Sequence, residues 1–277
     1  MVTESPAPSG NDRILVLDSG VGGLSVLNEI RTLLPTLPVD YIADHKFFPY
    51  GSKTQTQLND RVSLLIESMV QRAAENGYGY RLAVIACNTA STVVLDNLRA
   101  SFSLPFVGVV PAIKPACINS NNKRVGLLAT EGTVTREYTH GLIRSFAADH
   151  KLTLVGSAEL VTLAEQKLSG KILDIQALVS ILKPFKEANV DTIVLGCTHF
   201  PLVKEELKVA ADWPVKWVDS GKAIAQRVEY LLSEDPLKSF SENDQAGSVV
   251  FFSTDMSLVS FSEETLQAFS RLESLTV

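Results

Sequence analysis

The chain of 277 residues is poor in cysteine and in basic charge, and it has no long apolar run. Its cysteines, Cys87, Cys117 and Cys197, are three in number and widely spaced. That excludes a disulfide framework. None belongs to a C-x-x-C pair, so zinc-site spacing is missing and no metal is expected. Lysine and arginine total 25 against 31 acidic residues, a formal charge of −6. A non-specific nucleic-acid binder needs a basic surface to neutralise phosphates, and this chain has none overall. Any anion site must be local. No apolar stretch reaches the roughly 18 residues of a membrane span. The opening MVTESPAPSGND carries neither a basic n-region nor an apolar h-region, so it reads as a loose polar tail and not as a signal peptide. Glycine and proline, 16 and 12 residues, are too few for a fibrous or linker-like protein. The expected setting is a reducing cytoplasm, where an unpaired cysteine is either inert core or reactive.

What the chain does have is alternation. Short Val/Ile/Leu-rich runs at Ile14–Leu17, Leu82–Ala86, Phe106–Val110, Val125–Ala129, Thr192–Gly196 and Val249–Ser253 are apolar at successive positions, as buried parallel strands are. Between them lie helical patterns. Leu58, Val62, Leu65, Met69 and Ala73 mark one helix face, with Asn76-Gly77 as its stop. Val203–Ala211 and Ala223–Leu232 also read as helices. The class is α/β, with mainly parallel sheets.

A faint repeat divides the chain. Arg13-Ile14-Leu15-Val16-Leu17 leads into Asp18-Ser19-Gly20, and Arg124-Val125-Gly126-Leu127-Leu128 leads into Ala129-Thr130-Glu131-Gly132. Val84-Ile85-Ala86-Cys87-Asn88-Thr89 resembles Val194-Leu195-Gly196-Cys197-Thr198-His199. The offsets are nearly equal, which suggests two similar α/β halves; unrelated apolar strands can also look alike. The expected division is residues 1–110 plus 219–277 as one domain, with Asp18 and Cys87, and 111–218 as the other, with Thr130 and Cys197.

In open parallel sheets, functional groups sit just beyond the carboxyl ends of the strands. Asp18-Ser19-Gly20, Cys87-Asn88-Thr89, Thr130-Glu131-Gly132-Thr133 and Cys197-Thr198-His199 hold that place. Each precedes an expected helix, whose N-terminus attracts anions and lowers a thiol pKa. If a pseudo-two-fold relates the halves, Cys87 and Cys197 approach one ligand from opposite sides. Such a pair suits racemisation, in which one thiolate removes a proton and the opposite thiol delivers one. A free cysteine, with a pKa of about 8.5, is only a few per cent thiolate at neutral pH, so helpers are expected. Asp18 and His199 are the nearest by motif.

Plainer readings stand beside these. Most cysteines after an apolar run are core, and Cys117 is read that way. His199 can be a structural histidine, and Asp18-Ser19-Gly20 only a cap or turn. Gly20-Val21-Gly22-Gly23 lacks both the lysine of a phosphate loop and the full dinucleotide fingerprint, so neither ATP nor NAD is expected.

Taken together, Leu17-Asp18-Ser19-Gly20-Val21-Gly22-Gly23-Leu24, Pro49-Tyr50-Gly51, Ala86-Cys87-Asn88-Thr89-Ala90, Ala129-Thr130-Glu131-Gly132-Thr133 and Gly196-Cys197-Thr198-His199-Phe200-Pro201-Leu202 resemble the bacterial glutamate racemases. The likeness runs in order from about Ile14 to Ala225. The segments Phe47–Gly51 and Val109–Pro115 look most like enzymes of gamma-proteobacteria. The resemblance implies cofactor-independent interconversion of L- and D-glutamate, supplying D-glutamate for peptidoglycan. It implies two α/β domains with the active site between them. It puts the two catalytic cysteines on Cys87, serving D-glutamate, and Cys197, serving L-glutamate. It implies substrate contacts at Asp18, Ser19, Tyr50, Gly51, Asn88, Thr89, Thr198 and His199, with Thr130 and Thr133 as further ones. Glu165 matches an acidic family position, although the Cys-Pro pair often seen upstream is Ser157-Ala158 here. The resemblance also allows a peptidoglycan-precursor regulator and a monomer or homodimer. Glutamate is the expected partner, with no nucleic acid and no membrane. The competing readings are a racemase for aspartate or another amino acid, a two-lobed amino-acid binding protein, and a cysteine hydrolase.

Overall fold

The computed structural model describes residues 13–234 and 247–277, so the polar N-terminal tail lies outside the described residues. In chain order the first elements are β1 (Arg13–Asp18), α1 (Leu24–Leu33), β2 (Val39–Ala43), α2 (Gln55–Glu75), β3 (Tyr80–Ile85), α3 (Asn88–Ser101) and β4 (Phe106–Gly108). Next come α4 (Ile113–Asn119), β5 (Arg124–Ala129), α5 (Glu131–Thr135), α6 (Glu137–Phe146), β6 (Lys151–Gly156), α7 (Ala158–Leu168), α8 (Ile175–Glu187), β7 (Thr192–Leu195), α9 (Lys204–Ala210) and β8 (Lys216–Val218). The last are α10 (Gly221–Glu234), β9 (Val249–Ser253), α11 (Glu263–Leu266) and β10 (Arg271–Ser274).

Two compact units result. Among the described residues, one comprises those up to 109 with those from 221 onward, the other 110–220. The first holds a six-stranded sheet, β10-β9-β2-β1-β3-β4, and the second a four-stranded sheet, β6-β5-β7-β8. All pairings are parallel. The order β2-β1-β3-β4 of the first sheet matches β6-β5-β7-β8 of the second. The repeat read in the sequence falls on the matching strands β1 and β5, and β3 and β7.

The expected α/β class and all six expected strands are present, some with shifted ends. The run at Phe106–Val110 leaves the sheet after Gly108. Four strands went unread, each for a visible reason. β2 carries a charge, Asp40, at its second position, buried against Arg13 at 2.6 Å. β6, β8 and β10 are edge strands, where exposed positions admit Lys151, Lys216 and Arg271.

The helix read from Leu58 to Ala73 is α2, and all five of its marked positions are buried. It starts earlier than the apolar pattern because Thr54 caps it: the Thr54 side chain accepts from Gln57 N–H, and Gln57 reaches back to Thr54 N–H. It stops at Asn76-Gly77, where Gly77 has φ +77°. The helix expected over Val203–Ala211 is α9, one residue shorter at each end. Phe200–Val203, with a proline at its start, winds as a 3₁₀ turn before α9.

Candidate active site

In the first unit the side chains of interest collect at the carboxyl edge of the sheet. Leu17 on β1 pairs with Ile85 on β3, and the Ala86 N–H donates to Leu17 O at 2.7 Å. Asp18 and Cys87 therefore leave neighbouring strands side by side. Cys87 is 6% exposed and is the N-cap residue of α3, with its sulfur making no capping bond. Fourteen helical residues follow it. Their aligned peptide dipoles favour a thiolate at this position. Asn88 and Thr89, also buried, form the first turn. The Asn88 Nδ2 is buried with no hydrogen-bond partner, an orphan donor beside the thiol that a bound carboxylate would satisfy.

Asp18 is fully buried. Its Oδ1 accepts from Gly20 N–H at 2.8 Å and Ser19 Oγ at 3.3 Å, so Asp18-Ser19-Gly20 is a turn and not a helix cap. The cap position of α1 is Gly23. A Cβ there would stand 2.8 Å from Tyr41 Oη, 2.9 Å from Ala86 Cβ and 2.9 Å from Asp18 Cβ. Only glycine lets α1 start this close to the ends of β1 and β3. Gly23→Ala is expected to cost about 1–3 kcal/mol of stability by overpacking and to lower turnover by displacing Asp18. A thermal melt beside a turnover measurement checks both.

Tyr50 and Gly51 sit in a short 3₁₀ turn, Tyr50–Ser52. The Tyr50 hydroxyl is buried and donates to Asp44 Oδ2 at 2.8 Å. Burial, with the Asp44 charge beside it, holds this phenol protonated well above its usual range. It cannot shuttle protons near neutral pH. The turn can offer a ligand its main chain at Gly51, which is half-buried.

The second unit repeats the backbone arrangement with different chemistry. Leu128 on β5 pairs with Leu195 on β7, and Gly196 N–H donates to Leu128 O at 2.7 Å. Thr130 and Cys197 thus take the places that Ser19 and Cys87 take in the first unit. Thr130 caps α5 by accepting from Thr133 N–H at 3.3 Å, and the two threonine hydroxyls bond at 3.0 Å. The segment after Cys197 corrects the expectation of a helix start: it leads into the 3₁₀ turn Phe200–Val203. A four-residue turn supplies little dipole.

The neighbours of Cys197 are side chains instead. His199 Nδ1 lies 3.9 Å from Cys197 Sγ, and His199 Nε2 lies 2.8 Å from Glu165 Oε1. Glu165 is on α7. With the Nε2 proton donated to that carboxylate, Nδ1 presents its lone pair to the thiol. Cys197 (8% exposed), Thr198 and His199 are all buried. Lys167, two residues further along α7, donates to Leu202 O at 2.8 Å and to Glu206 Oε2 at 2.9 Å, which pins the far end of the same loop.

Cys117 sits on the buried face of α4, in a core cluster of the second unit, with its thiol pKa raised by burial. The residues missed by sequence reading are Asp44, Arg61 and Lys167. Asp44 directly follows β2, so the rule that singled out Asp18 would have found it had β2 been read as a strand. Arg61 and Lys167 left no signal beyond their charge. Among the described residues, no group of three or more His, Cys, Asp or Glu side chains is arranged to hold a metal ion. No helix there is long and apolar enough to cross a membrane.

Residues 14–228 match the Asp/Glu/hydantoin racemase family. A glutamate racemase of Vibrio vulnificus is 51% identical over 226 residues, which is 82% of this chain and 83% of that one. A glutamate racemase of Shewanella sp. (strain ANA-3) is 51% identical over 80% of this chain and 79% of its own. The Escherichia coli glutamate racemase, in complex with L-glutamate and the activator UDP-MurNAc-ala, superposes with a TM-score of 0.86. It is 45% identical and the match covers 96% of this chain and 99% of that one.

Proposed function

The chain belongs to the Asp/Glu/hydantoin racemase family, and on that premise we infer that it interconverts L- and D-glutamate, supplying D-glutamate for peptidoglycan. Identity of 51% to glutamate racemases over four-fifths of the chain carries the substrate, and the likeness to a glutamate-bound racemase agrees with it.

The proposed mechanism uses two thiols and no resident cofactor. The Cys197 thiolate takes the α-proton from one face of L-glutamate. The Cys87 thiol gives its proton to the opposite face, which releases D-glutamate. Cys197 is then a thiol and Cys87 a thiolate, the state that runs the reverse reaction. Each thiol has its own route to ionisation. His199 accepts the Cys197 proton while Glu165 stabilises the resulting imidazolium. Cys87 has the α3 N-terminus, which favours its thiolate, and Asp18 at the end of the neighbouring strand to take its proton. Ser19, Asn88, Thr89 and Thr198, with the amides near Gly51, donate to the substrate carboxylates, and Asp18 accepts from its ammonium. Thr130 and Thr133 complete the set. The orphan Asn88 Nδ2 supports this reading most directly.

The test is optical. Enzyme dialysed against a chelator is mixed with L-glutamate and, separately, with L-aspartate, and the circular dichroism followed. Loss of the glutamate signal alone is expected. Loss of the aspartate signal alone, or activity only when a metal or cofactor is restored, would overturn the reading. By the same likeness, we propose a peptidoglycan precursor as a regulator. Turnover that rises when UDP-MurNAc-ala is added supports this, and turnover that stays unchanged refutes it.

A further inference from the structure

The carboxylate of Asp44 is fully buried, and donors from three separate segments converge on it. Arg61 on α2 grips it at both oxygens, Nε to Oδ2 at 2.9 Å and Nη2 to Oδ1 at 2.7 Å. Tyr50 Oη donates to Oδ2 at 2.8 Å, and Thr254 Oγ1, just past β9, to Oδ1 at 2.9 Å. The Asp44 N–H donates to Asp18 O at 3.0 Å, which ties this hub to the end of β1. Arg61 also touches the segment a second time. Its guanidinium lies 5.9 Å from the Phe47 ring centroid, and Phe47 packs edge-on against Tyr50 at 6.2 Å.

Tyr50 also lies within electrostatic reach of the Cys87 thiol. Tyr50 and Cys87 share one core cluster with Leu58 and Val62 of α2. Arg61 is therefore one link from Asp44 and two from the turn that packs beside Cys87. We propose that Arg61 is a positioning residue for this half of the active site: through Asp44 it fixes Tyr50 and Gly51 against Cys87. This inference rests on the assignment of Cys87 as one of the two reacting thiols.

A carboxylate as deeply buried as Asp44 is stable only while paired, so Arg61 cannot be removed without consequence for its neighbours. The fork geometry matters as much as the charge, because one guanidinium engages both oxygens and a lysine could engage one. A surface arginine serving only helix solubility would show neither dependence.

The experiment compares Arg61→Gln, Arg61→Lys, Tyr50→Phe and the double Arg61→Gln/Tyr50→Phe. It measures kcat and KM for both enantiomers. It also measures the iodoacetamide labelling rates of Cys87 and Cys197, resolved by peptide mass spectrometry. Arg61→Gln is expected to lower kcat/KM for both enantiomers by about 10-fold or more, the scale of a small misplacement of reacting groups. Arg61→Lys should recover only part. Cys87 labelling should change while Cys197 labelling keeps the parent rate. The double variant should be no worse than the more affected single, because both act through Asp44. If Arg61→Gln does not fold, Tyr50→Phe breaks the same chain one link on and should show the same selectivity for Cys87. Parent kinetics in Arg61→Gln, parallel labelling changes at both thiols, or losses that multiply in the double would overturn the proposal. If Cys87→Ser racemises normally, the assignment beneath it fails instead. An essential Cys87 with an unmoved labelling ratio defeats the Arg61 inference alone.

Discussion

Cys87→Ser and Cys197→Ser are each expected to lose racemisation by at least about 10³-fold, toward the upper range for removal of a general acid or base. They should nevertheless fail differently. In the proposed mechanism each thiol serves one enantiomer as base, and serine is too weak an acid and base to replace it. A β-chloro substrate analogue removes the need for reprotonation, because loss of the α-proton expels chloride and ends the reaction as an elimination. Cys87→Ser should then still eliminate from the enantiomer served by Cys197. Cys197→Ser should show the inverted preference. Elimination rates from both enantiomers, measured for both variants, check this. One base working with a solvent proton predicts a dispensable cysteine and the same preference in both variants.

The second large effect concerns the groups beside the thiols. In the proposed mechanism the units activate their thiols differently: a helix N-terminus, with Asp18 as proton acceptor, in one, and a histidine held by a glutamate in the other. His199→Asn is expected to lower turnover by about 10²-fold or more, with the larger effect on the direction that starts at Cys197. Glu165→Gln should lose less, because it acts only through the ring orientation and charge of His199. Combined with His199→Asn it should add little. Asp18→Asn should lower turnover in both directions, since it also holds the substrate ammonium. Initial rates from each enantiomer separate these patterns. Parent turnover in both Asp18→Asn and His199→Asn would refute the assignment.

How much of this was legible follows from how local each signal is. Cys87 and Cys197 stand out because an apolar strand runs straight into a thiol and two polar residues, and the pattern occurs twice. The α2 register was readable because one buried face repeats over four turns. Glu165 could be flagged only by family likeness. Its partner His199 lies 34 residues away, and nothing in the sequence around either names the other. Asp44 was hidden because β2 was hidden. A strand with Asp40 at its second position looks solvated until Arg13, Tyr78 and Tyr80 are seen to converge on that carboxylate. Arg61 sits between helical core positions Leu58 and Val62 and reads as an ordinary solvated arginine. Buried charge pairs are the feature that composition and periodicity read worst, since each member alone resembles surface.

Two opposed acid–base groups leave an isotopic signature that one group cannot. L-Glutamate is incubated with the enzyme in D₂O, and both enantiomers are isolated early, before the reverse reaction matters. The thiol that delivers the new hydrogen has equilibrated with solvent, whereas the thiol that removed the old one faces the other side of the carbon. The account predicts that D-glutamate carries deuterium at the α-carbon from the first turnovers while the remaining L-glutamate keeps its protium. Deuterium entering the unreacted L-glutamate as fast as the D product would contradict it.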